Sequence, residues 1–162
     1  MRKYTKRTAW VPVNPIAHAM FQAGKLSAEE WNKQIIPLQV ALDQLLTGNW
    51  DKVGVWDCFF YALNRIESLT KLNHVPDGGF IERAQGVFMD ALDREDRTGA
   101  KAFKHDELAV MRELLQTYGD LLKEVSRRQF AEACRHTDAN VNRIIRAKKG
   151  VTNINHCILE TA

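Results

Sequence analysis

No apolar run in these 162 residues approaches the roughly 20 that a helix needs to cross a bilayer, which argues against a membrane protein. The opening stretch MRKYTKRTAW is basic, yet no apolar segment follows it, so no secretory signal is expected. Cysteine is scarce. Cys58, Cys134 and Cys157 are odd in number and far apart, and two of them fall in apolar helical positions. That pattern suits buried thiols in a reducing cytoplasm better than a disulfide framework.

Reaction centres are also missing from the pattern. There is no phosphate-binding glycine loop, no GxGxxG and no HExxH. The three cysteines and five histidines never come to metal-ligand spacing. His105-Asp106-Glu107 is a local acid–base cluster, but at a helix start such residues serve capping and dipole chemistry. Asp90, Asp93 and Asp96 recur every three residues, with Arg94 and Arg97 close enough to neutralise them. Cys58 follows Asp57 and has no basic neighbour to lower its pKa. No enzyme, no metal and no cofactor is expected.

What is present is helix. The apolar share of 45% and charged share of 27% are those of a globular chain, and the length suits one domain. The organising stretch is 52–72, where Trp56, Phe59, Phe60, Leu63 and Ile66 recur at three- and four-residue steps. Val55, Cys58, Tyr61 and Ala62 leave little of its circumference polar, so this helix is expected at the centre.

Around it, 1–13 reads as a flexible basic arm carrying Arg2, Lys3, Lys6 and Arg7. Asn14-Pro15 reads as a helix start and Gly24 as its end. Ser27 and Glu30 form a capping box for a second helix. Its apolar residues Trp31, Ile35, Leu38, Leu42 and Leu45 keep one phase across Pro37, which favours one kinked helix over two. The turn 73–79 leads to a helix through Phe80, Ala84, Val87, Phe88, Ala91 and Leu92, whose end, 90–97, should be water-facing and ion-paired. Leu108, Met111, Leu115, Tyr118, Leu122 and Val125 mark a fifth helix, widened by Leu114 and Leu121. Ser126 and Gln129 cap a sixth, with Phe130, Cys134, Thr137, Val141, Ile144 and Ile145. The expected fold is an all-α bundle of five or six helices spanning 14–150, followed by a tail, 151–162.

The strongest functional signal is basic. Arg127, Arg128, Arg135, His136, Arg143, Arg146, Lys148 and Lys149 crowd a segment whose acids are Glu132 and Asp138. Segment 126–149 also threads as a helix-turn-helix with its turn at 136–139, which would offer Asn140, Asn142 and Arg143 to base edges. The turn glycine is absent, and Phe130, Cys134, Thr137, Val141 and Ile144 hold one helical phase, which favours a single straight helix. Arg127, Arg128, Arg135, Arg143, Arg146, Lys148 and Lys149 are therefore the candidate contacts for a partner or for nucleic acid.

The run Val13-Asn14-Pro15-Ile16-Ala17, the helix end Leu45-Leu46-Thr47-Gly48 and the aromatic central helix form a pattern together. With Glu107-Leu108, Leu114-Leu115 and Ser126-Arg127-Arg128-Gln129-Phe130, it resembles small all-helical proteins encoded by bacteriophages, prophages and mobile elements of Proteobacteria. The resemblance implies a bacterial cytoplasm and brings no catalytic residues. It points to a non-enzymatic protein that binds and inhibits or remodels a host protein complex, for example an anti-CRISPR-like anti-defence factor. Trp10 and Trp50 are candidate anchors there, or ordinary packing residues. The alternative is a nucleic-acid-binding regulator using the basic C-terminal helix. Oligomeric state is left open.

Overall fold

The computed structural model describes residues 15–47 and 54–147. They form six helices: α1 (Pro15–Ala23), α2 (Ala28–Thr47), α3 (Val55–Asn73), α4 (Phe80–Thr98), α5 (His105–Glu124) and α6 (Arg127–Ala147). Among the described residues there is no strand, and an isolated antiparallel bridge joins Lys25 to Ser126. The all-α expectation holds.

Local chemistry sets the helix ends. Ser27 Oγ accepts the Glu30 amide at 3.2 Å and Glu30 Oε2 accepts the Ser27 amide at 2.7 Å, closing the anticipated capping box. Ser126 and Gln129 do the same for α6, at 3.2 Å and 2.8 Å. At α5, the Glu107 carboxylate accepts the Lys104 amide at 2.7 Å. Gly99, at φ +72°, ends α4 in the left-handed region, where a Cβ would be strained. Pro37 is exposed and α2 runs through it as one helix.

The central position of α3 is confirmed, for it packs against α2, α4, α5 and α6. Phe59 and Leu63 are fully buried, and Trp56, Phe60 and Ile66 nearly so. Trp56 and Phe59 each meet Phe103 edge-on, with centroids 5.3 Å apart in both pairs, and each also meets Phe88. Phe103 belongs to no helix; it comes from the α4–α5 connection. Between α2 and α5 the Trp31 indole donates to the Gly119 carbonyl at 2.8 Å. A Cβ on Gly119 would lie 3.2 Å from that ring, so glycine lets the two helices close.

Segment 90–97 departs from expectation at Arg94. Ala91 and Leu92 are buried on the expected stripe and Asp90, Asp93, Asp96 and Arg97 are exposed, but Arg94 turns inward. Its guanidinium donates to both oxygens of buried Glu107, at 2.9 and 2.5 Å, and to the Ala102 carbonyl at 2.8 Å. The α4–α5 connection is thus fastened by an ion pair whose acid also caps α5.

Phe88→Ala should lower stability by about 3–5 kcal/mol, as emptying a packed aromatic site does. Ile36→Ala, on an exposed position, should change it by under about 0.5 kcal/mol. Urea denaturation followed by helical circular dichroism checks both.

Candidate interaction surface

Helix α1 has no buried residue. Its Ile16 and Met20, one turn apart, are 71% and 73% exposed, and Phe21 is 55% exposed, an unusual density of bare apolar side chains on nine residues. Arg127 is one of the residues that fasten it to the bundle. The Arg127 side chain donates to Glu30, with Nε 2.9 and 3.0 Å from the two carboxylate oxygens. Its Nη2 lies 2.9 Å from Glu30 Oε2. The guanidinium also sits 4.3 Å from the Phe21 ring centroid and donates to the Phe21 carbonyl at 3.4 Å. The Arg127 amide donates to the Gly24 carbonyl at 2.9 Å, and Lys25 pairs with Glu124 at 3.0 Å.

This sorts the basic candidates. Arg127 is a fastener, its charge already spent on Glu30. Arg128 and Arg135 are exposed and line a cavity of about 600 Å3 between α1 and α6, facing His18, Ala19 and Gln22. Arg143 is exposed further along α6. Arg146 lies within α6. Lys148 and Lys149 lie outside the described residues, as do Trp10, Trp50 and the arm and tail at 1–13 and 151–162.

The helix-turn-helix threading is not what forms. Residues 136–139 are helical within one continuous α6. The reason is packing: Thr137 is 2% exposed and its hydroxyl sits 3.1 Å from that of Ser68 on α3, where a turn residue would face water.

Ser68 also lies 3.0 Å from His136 Nδ1, which resembles a nucleophile–base pair. The chemistry does not follow. Ser68 is 3% exposed, no carboxylate bonds to the imidazole among the described residues, and Asn140 approaches the same Nδ1 at 3.4 Å. These bonds fasten α3 to α6. Burial first, and then the Asp57 charge, push the Cys58 thiol up, and burial does the same to Cys134, so neither is set up as a thiolate. Among the described residues no group of three or more His, Cys, Asp or Glu could hold a metal ion, and no helix is long and apolar enough to cross a membrane.

Sequence patterning overlooked Arg65. It is a cation in the middle of α3, and its Nη1 donates to Gln34 of α2 at 2.6 Å. Its guanidinium lies 5.5 Å from the Tyr61 ring and 6.0 Å from that of Phe130 on α6. Tyr118 of α5 is a further neighbour. The available signal was an arginine placed directly before Ile66, in the most aromatic helix of the chain.

Comparison with protein-family models, with curated proteins and with solved structures finds no match.

Hydrogen bonds from Arg127 and then from the Ser27 amide hold the Glu30 carboxyl down to about 2, against an ordinary 4.5. A carboxyl depressed on folding stabilises the native state above its unfolded pKa, and that contribution fades as pH falls through the folded value. Stability should therefore drop between about pH 4.5 and 2. Glu30→Gln should flatten that part of the profile, measured as thermal midpoint against pH.

Proposed function

We propose that this chain is a non-enzymatic binding protein that uses the α1–α6 surface to engage a host protein complex and block or remodel it. The observation that carries the reading is the juxtaposition of bare apolar side chains on α1 with unspent arginines on α6. Ile16 and Met20 stand exposed on α1, whose His18, Ala19 and Gln22 form one wall of the groove that Arg128 and Arg135 line from α6. A protein surface offers partners for both kinds of group, the apolar face burying area and the arginines meeting carboxylates. A phosphate backbone answers only the charge. Methionine adds a side chain that adapts to an irregular counterpart. The partner's contact face is accordingly acidic with an apolar centre. The resemblance to mobile-element proteins makes an anti-defence factor in a bacterial cytoplasm the concrete form of the proposal.

A specific observation keeps a nucleic-acid reading beside it. Arg128, Arg135 and Arg143 are exposed at seven- and eight-residue steps along one solvent face, a span of about 22 Å at 1.5 Å per residue. Such a ridge can follow phosphates, although Glu132 lies on the same face.

Affinity purification from nuclease-treated bacterial lysate separates the two. The first reading expects a defined protein to be retained by the native chain and its affinity to fall at least about thirtyfold in Met20→Asp/Arg135→Glu, the loss of two anchors. Both positions are exposed, so circular dichroism should be unchanged. Retention of nucleic acid alone, lost on nuclease treatment and steeply weakened by salt, would replace the first reading with the second.

A further inference from the structure

The outward face of α2 is apolar along its midline, where a helix bathed in water is normally most polar. Ile36 and Val40, one turn apart, are 49% and 47% exposed. The core face of the same helix carries Ile35, Leu38, Leu42 and Leu45. At about 100° per residue, Ile36 and Val40 point nearly opposite to it. Isoleucine and valine are poorer helix formers than alanine, glutamate or lysine, so in a lone chain the pair brings α2 no local advantage.

The neighbours of this pair are placed in order. Exposed Glu29, Lys33, Ile36, Val40, Asp43 and Thr47 succeed one another at steps of four, three, four, three and four. That is the alternation of a coiled-coil seam, here apolar at the middle and charged towards both ends. The row is also symmetric about the level of residue 38. Laid antiparallel against a second copy, it brings Ile36 beside Val40 of that copy and Lys33 beside its Asp43, and each pairing occurs twice. Laid parallel, it would set lysine against lysine and aspartate against aspartate. Asp43 takes part in none of the ion pairs among the described residues. Lys33 reaches Glu29 at 2.8 Å, but a pair so exposed holds the lysine loosely. Pro37 flanks the row on one side, sharing a cleft with Tyr61 of α3, and Leu46, 44% exposed, flanks it on the other.

We infer that the outward face of α2 is a homodimer interface, two copies of the chain pairing antiparallel through this row. Six helix positions with three flanking side chains fall short of the roughly 800 Å2 per partner of a standard complex, so the dimer is weak, with a Kd of about tens of micromolar. At the dilution of a denaturation experiment the copies are apart, and Ile36→Ala there still reports on one chain. Glu30, which holds Arg127, lies off the row, so the interface is independent of the α1–α6 reading and survives its failure.

Sedimentation equilibrium of the full chain from about 5 to 500 μM tests the pairing. The average mass should climb from that of one chain towards that of two. Ile36→Glu should hold it at one chain across the range, with circular dichroism unchanged. Lys33→Glu and Asp43→Lys should each weaken the dimer about tenfold, since each sets like charges together twice. The chain carrying both substitutions should regain the native affinity, because the antiparallel pairing then meets opposite charges again. A mass of one chain throughout, a dimer untouched by Ile36→Glu, or a double variant as weak as the single ones overturns the proposal. Should Ile36→Glu fail to fold, Val40→Lys takes its place under the same readings.

Discussion

A helix enclosed on nearly every side has to satisfy its own polar groups without water, and α3 is built around that constraint. Asn64 donates back to the Phe60 carbonyl at 2.8 Å, and Thr70 to the Ile66 carbonyl at 3.0 Å. Ser68 turns outward to Thr137 and His136, so its hydroxyl becomes the register mark between α3 and α6. Each of these three buried polar residues of α3 thus either returns to its own backbone or specifies a neighbour. The apolar core supplies the burial, and these bonds help determine which helix lies where. Arg65 and Tyr118 answer one another across α3 and α5.

The fold was legible because amphipathic periodicity is a property of each helix separately. Trp56, Phe59, Phe60, Leu63 and Ile66 announce the buried face of α3, and Ser27 with Glu30 announces the start of α2, without knowledge of anything distant. Reading failed where burial depends on a neighbour. Phe103 lies outside any periodic run, yet it is 8% exposed because α3 and α4 present a ring-lined hollow to the connection that carries it. On α5 the buried stripe is rotated from the one expected. Leu114 is fully buried, Leu115 is half-buried, and Glu107 takes an inward place because Arg94 is there to meet it. The structure puts Arg94 opposite an acid thirteen residues away, which no local charge pattern displays.

The same limit governs the candidate surface. Counting cations in 126–149 cannot distinguish a charge already committed from one still on offer. Arg127 and Arg128 are adjacent in sequence and opposite in situation, one against Glu30 and Phe21, the other on the groove wall. The exposure of Ile16 and Met20 was equally hidden. A short helix with apolar residues at these steps looks like any other amphipathic helix until its packing is known, and α1 packs by its rim, through Gly24, Lys25 and Phe21.

That manner of attachment bears on how any map of the surface is interpreted. Since the Arg127 guanidinium is one of the ties that hold α1 in its posture, substituting Arg127 alters the presentation of groups it never touches. A scan that scored it among the recognition residues would be recording the angle of a shelf and attributing the result to what stands on it.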